Sequence, residues 1–96
     1  MAIDAIVGHE KDNVATALAD IAAGAEALTR VGQDMKKLAV CEPIPYGHKF
    51  AIAPMEKGDY VIKYGEVIGS TTAKIGAGYH VHVHNVESLR GRGDFK

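Results

Sequence analysis

The chain has a single cysteine, Cys41, so no disulfide can form within it, and a reducing, cytoplasmic setting is the expectation. It has no tryptophan. Four tyrosines and two phenylalanines are too few for the aromatic platform on which single-stranded nucleic acid stacks. Basic charge is not in excess either. Eleven Lys and Arg against twelve Asp and Glu leave a formal net charge of -1, which removes the electrostatic case for a nucleic-acid partner. No apolar run reaches the roughly 18 residues of a membrane-spanning helix, so a span of that kind is excluded. The opening residues Met1-Ala2-Ile3-Asp4 lack the basic and apolar segments of a secretion signal. There is no glycine-rich phosphate loop and no Ser/His/Asp array.

What remains is an ordinary soluble composition, 47% hydrophobic and 24% charged, in a single domain of 96 residues with a modest core. Strand-like runs bounded by turn residues follow one another. Ile3–Val7 alternates as a first strand, and Gly8 to Asn13 is a polar turn. Asp12 or Asn13 can cap a short helix from Val14. Val14, Ala15, Ala17, Leu18 and Ile21 fit a helical stripe, with a strand over Val14–Leu18 as the rival. Ala25–Val31 and Met35–Cys41 read as a hairpin around Gly32-Gln33-Asp34. Cys41, among apolar neighbours, reads as a buried small hydrophobe. Pro43 and Pro45 forbid regular structure across residues 42–46. Phe50–Ala53, Tyr60–Tyr64 and Val67–Gly69 are further strands, and residues 87–96 a polar tail. The expected fold class is mostly β with one or two short helices.

A short kernel recurs beneath this: an alanine, then Ile or Met two residues on, then glycine after two more. It occurs as Ala19-x-Ile21-x-x-Gly24, Ala53-x-Met55-x-x-Gly58 and Ala73-x-Ile75-x-x-Gly78. Each copy is an apolar anchor, a turn, a glycine able to take positive φ, and a strand. The pattern predicts a compact β fold with three similar corners.

The third copy runs into Tyr79-His80-Val81-His82-Val83-His84-Asn85, where three of the five histidines stand at alternate positions. On a strand these imidazoles share one face, and Val81 and Val83 face the core. Same-face neighbours lie roughly 7 Å apart, so a pair can converge on one ion, but His80 and His84 are roughly 13 Å apart. A straight strand therefore offers one metal at most His80/His82 or His82/His84. The remaining ligands must come from elsewhere. The bland alternative is a solvated strand whose histidines bond their neighbours.

Four blocks resemble a known family in order. They are Asp12-Asn13-Val14-Ala15, Gly47-His48-Lys49-Phe50-Ala51, Val61 to Gly69, and Gly78 to Asn85. Together they are similar to the small SAF domain, a β-clip fold, of the altronate/galactarate dehydratase family. That resemblance implies an SAF-like β-clip domain that works beside a larger catalytic unit. Nothing follows Lys96, so the chain resembles the stand-alone small (alpha) subunit. Two chemistries fit the resemblance: loss of water from a sugar acid, or of sulfite from a three-carbon sulfonate. It further implies a divalent metal, typically iron, held mainly by the large partner subunit. A homo-oligomer is allowed when that partner is absent.

With that resemblance in view, His48, His82 and His84 are the catalytic candidates, because imidazoles transfer protons near neutral pH. His82 and His84 are also the candidate metal pair. Lys49, Asn85 and Arg90 are the candidate substrate contacts, Lys49 and Arg90 as cations for a carboxylate or sulfonate. The rival readings are a solvated loop for His48-Lys49, a strand-ending turn for Asn85, and a docking tail for Arg90. A wholly non-catalytic assembly module is the competing function.

Overall fold

The computed structural model describes residues 2–88. Among these there are nine strands and no helix. They are β1 Ala5–Val7, β2 Val14–Ala17, β3 Glu26–Val31, β4 Asp34–Ala39, β5 Lys49–Ala51, β6 Tyr60–Lys63, β7 Glu66–Thr71, β8 His80–Val81 and β9 Val86–Ser88. One sheet has the order β4-β3-β1-β2-β5-β8, and the other β6-β7-β9. The mostly β expectation holds. Arg90 and the rest of the tail beyond Ser88 lie outside the described residues.

The helix considered from Val14 is strand β2 instead. Its apolar run serves two cores, not one helical face. Ala15 and Ala17 enter a cluster with Ala5, Val7, Ile21, Ile44 and Phe50, and Val14 enters a second with Ala51, Met55, Val61, Ile75 and Val81. Strand β2 lies between β1 and β5, with Val14 opposite Ala51 and Ala15 opposite Phe50. Alternation across this pair thus feeds both clusters, so β2 and β5 are the wall between two half-cores. Leu18, needed for the helical stripe, is exposed.

Asp12 and Asn13 cap backbone groups, but not those of a helix. The Asp12 carboxylate is buried and accepts N–H bonds from Gly8 and His9 at 3.1 Å and from Gly65 at 2.8 Å. Asn13 donates to the Tyr60 carbonyl and accepts from the Ile62 amide, both at 2.8 Å. The two residues tie the β1–β2 loop to the β6–β7 hairpin, and so one sheet to the other.

The corners exist, and there are four of them. Ile21 bridges Ile44, and Met55 bridges Ile75, each pair through reciprocal backbone bonds of 2.8 to 2.9 Å. The fourth copy, Glu42-x-Ile44-x-x-Gly47, escapes the sequence pattern because Glu42 replaces the alanine and prolines flank Ile44. Each turn is closed by the residue after its glycine: Ala25 to Ala22, His48 to Pro45, Asp59 to Glu56 and Tyr79 to Gly76. The glycine takes the third turn position, with φ of 86, 83, 90 and 87° in Gly24, Gly47, Gly58 and Gly78. That is the type II geometry, which disfavours any side chain there.

Gly24 and Gly78 separate two effects. A Cβ on Gly24 would meet nothing within 4 Å, whereas one on Gly78 would lie 2.5 Å from the Ala39 carbonyl oxygen. Gly24→Ala should cost about 1 kcal/mol from backbone conformation alone. Gly78→Ala should cost roughly 1–3 kcal/mol more, because Ala39 is backbone and must shift. Thermal unfolding of the two variants checks this. Equal melting temperatures would contradict it.

Candidate functional site

The histidine stretch is not one strand. Strand β8 ends at Val81, and residues His82 to Asn85 form a turn closed by the Asn85 amide on the His82 carbonyl at 3.1 Å. Val81 is core as expected. Val83 is not: the turn swings it outward to 82% exposure, the largest among the large apolar side chains of the described residues.

The register of β5 against β8 builds the site. Lys49 faces Val81, and Phe50 faces His80. Phe50 is fully buried and fixes which face of β5 points into the first cluster. One step further along the same register sets His48 against His82. Their rings are stacked with centroids 3.9 Å apart and planes 11° apart. His80 stands diagonally, its centroid 5.0 Å from that of His48. His48 Nδ1 and His80 Nε2 are 2.8 Å apart, so one of the two nitrogens carries the proton and the other accepts it.

Three supports hold the imidazoles. His48 is the closing residue of the Pro45-Tyr46-Gly47 corner, where proline restricts the backbone. The Glu42 carboxylate accepts the His80 backbone N–H at 2.9 Å. Asn85 accepts the His82 N–H with its Oδ1 at 2.9 Å and donates Nδ2 to the His80 carbonyl at 2.8 Å. The amide of Asn85, considered as a substrate contact, is thereby engaged in shaping the turn.

The electrostatics favour neutral rings. Burial, then the charge of His48, then those of His84 and His82, lower the pKa of His80, and Glu42 opposes this. His82 is lowered by burial, then by His48, Lys49 and His84. Lys49 is half-buried, and burial followed by repulsion from Lys63 lowers its pKa as well. A neutral imidazole is the form that binds a metal or accepts a proton.

His48, His80 and His82 can each present one ring nitrogen, and these atoms all lie within 4.8 Å of one another. A shared ion at about 2.0–2.1 Å from each nitrogen asks for donors roughly 3–4 Å apart, and the near-parallel rings would turn out of their stack to aim their in-plane lone pairs at one point. The donor set is three imidazoles, which suits iron, zinc, nickel or copper. The structure groups other nitrogens than those of the His82/His84 pair expected from alternation. His80 and His48 join His82, while His84 is exposed, its ring tilted 34° and centred 5.1 Å from that of His80. The pairing limit assumed one straight strand, and the turn and the second strand remove it.

Sequence reasoning overlooked Glu42 and weighed His80 only as half of a metal pair with His82. The corner kernel held the signal: Glu42 breaks the alanine rule in the copy that carries His48. Cys41, expected to be buried, is exposed, with its Sγ 3.6 Å from the Ala77 carbonyl oxygen. Lys49 shares a groove of about 180 Å³ with Ile68, His82, Val83, Val86 and Ser88. On the other side, Glu42, Lys74, Tyr79, His84 and Asn85 line a cleft of about 500 Å³.

Residues 3–89 match the family described as the altronate/galactarate dehydratase SAF domain. The chain is 46% identical to altronate dehydratase of Escherichia coli over 80 residues, which is 83% of this chain and 15% of that protein. Identity to the Bacillus subtilis altronate dehydratase is 39% over 80 residues, with the same coverage. It is also 36% identical to the (2R)-sulfolactate sulfo-lyase subunit alpha of Chromohalobacter salexigens, over 94% of this chain and 99% of that one. The chain thus spans about a seventh of the altronate dehydratases it matches.

The depressed imidazoles set a pH dependence. In the unfolded chain His80 and His82 return towards 6.5, so that state binds more protons as pH falls through this value. Stability is fully present above it and is lost below it. The melting temperature of the metal-free chain should therefore fall between about pH 7.5 and 5.5. His80→Asn should flatten the slope. An equally steep slope in that variant would contradict the assignment.

Proposed function

The chain belongs to the family of altronate/galactarate dehydratase SAF domains, and from this we propose that it is the small subunit of a lyase acting on a sugar acid. Its histidine face lines an active site completed by a larger catalytic polypeptide. The observation that carries the reading is the convergence of His48, His80 and His82 from two strands separated in sequence. A satisfied structural histidine has no need of two others stacked on it.

The elimination removes the proton α to a carboxylate and expels the β-hydroxyl as water. It calls for a base, an acid and a cation on the carboxylate. Lys49 supplies a cation beside His82, aimed by its half-buried stem. His84 is the free imidazole at the edge of the cluster, and moves a proton at its ring nitrogen. His48, His80 and His82 would offer imidazoles to a divalent ion, iron on the family resemblance, held mainly by the larger polypeptide. When bound, the ion supplies Lewis acidity to the substrate's carboxylate and hydroxyl oxygens. Glu42 and Asn85 fix the backbone of the ligating histidines. The remaining acid–base groups belong to the larger polypeptide.

A second leaving group has its own support. The match to a sulfo-lyase subunit alpha runs over nearly the whole of both chains, so sulfite in place of water is the alternative reaction.

The purified chain should show no turnover alone and should gain it with the larger polypeptide. In that assembly His48→Ala and His82→Ala should each lower kcat by about 100-fold or more while leaving the complex intact. Unchanged kcat and KM would make the chain an assembly module. Separately, elemental analysis of the assembly after equilibration with ferrous or zinc ions should find about one ion per pair of polypeptides, and less when this chain carries His80→Ala. Equal loading of the two would remove the metal from this cluster.

A further inference from the structure

Val83 is the odd residue of the site. It is β-branched, stands in a tight turn, and projects into solvent between two histidines. A lone exposed valine would need no explanation. This one is not alone, because it forms one wall of a groove with Ile68 and Val86. Those two are half-buried and pack against the second core cluster, so the groove is anchored to the core. Among the described residues its only formally charged lining residue is Lys49, and none of them lines it with an acidic side chain. His82 lines the same groove, so whatever fills it lies against the imidazole cluster.

We propose that this groove is the seat for an apolar side chain of the larger lyase polypeptide, with Val83 as the anchor on this chain. The inference rests on the reading above and adds where the two chains meet. The occupant follows from continuity and from length. The groove adjoins the histidine face that the larger polypeptide completes. The same unit in altronate dehydratase is 15% of a longer chain, so most of that protein lies outside the matched segment. Seating there covers Val83, excludes water from one side of His82, and brings Lys49, which lines the same groove, beside the occupant. The fit is that of a small contact: the groove of about 180 Å³ accommodates one side chain, not a helix.

The probe is the host's own polypeptide that matches the part of altronate dehydratase outside this unit, co-expressed with the full chain. Affinity is measured for the native chain, Val83→Asp, Ile68→Asp and His82→Ala. Val83→Asp should weaken the complex by about 100-fold or more, the loss typical of a buried apolar anchor. Its circular dichroism and melting temperature should stay native, since Val83 is exposed and touches no core cluster. Ile68→Asp is a second, riskier variant, and Val83→Ala a milder one that should give a smaller loss in the same direction. His82→Ala should still bind while losing turnover. Equal affinity of the native chain and Val83→Asp overturns the proposal and leaves the lyase reading standing. Failure of the native chain to bind overturns both. A Val83→Asp change that alters only self-association of this chain identifies a second copy as the occupant and also overturns it.

Discussion

The pairing of β5 with β8 is the constraint on which the site depends. Only two residue pairs define it, Lys49 with Val81 and Phe50 with His80. Phe50 and Val81 lock it from opposite sides, each buried in a different cluster. A slip of one residue would turn Phe50 to the wrong face and move His48 away from His82. The register of a hydrophobic strand therefore also sets the spacing of the imidazoles. Packing energy and site geometry are the same interaction here.

The corners make that pairing possible. Two bridges, Ile21 with Ile44 and Met55 with Ile75, each hold two turns back to back and bury their anchors in the two clusters. The corners that end in His48 and Tyr79 deliver β5 and β8 to each other with matched geometry. The Glu42 corner gives up its small residue for a carboxylate, and that carboxylate reaches the His80 amide. A structural repeat thus carries a local departure beside the histidine cluster, and the turn after β8 turns Val83 outward.

Much of this was legible in the sequence, and the missing parts share a cause. The strands were marked by β-branched and aromatic runs between glycine and proline turns, and three corners by their spacing. The altronate/galactarate dehydratase SAF-domain family was legible in four ordered blocks. The helix at Val14 failed because an apolar run buried on both faces of a central strand resembles a helical stripe. Alternation pointed to His82 with His84, but it describes a single strand and says nothing of what lies beside it, so the grouping of His48 with His80 and His82 was not legible. His48 and His82 are far apart in sequence and meet only through the β5–β8 register, which no local pattern encodes. Val83 was assigned to the core by the same alternation, which ends at the first residue of the turn.

The central claim is that His48 and His82 act as one unit across two strands. A double-mutant cycle in the assembled lyase tests it most directly, comparing kcat for His48→Ala, His82→Ala and the pair. If the imidazoles form one site, the double variant loses about as much as either single variant, since removing one ligand already disables the group. If the losses multiply, the two histidines act independently, and the account of a single convergent site is wrong.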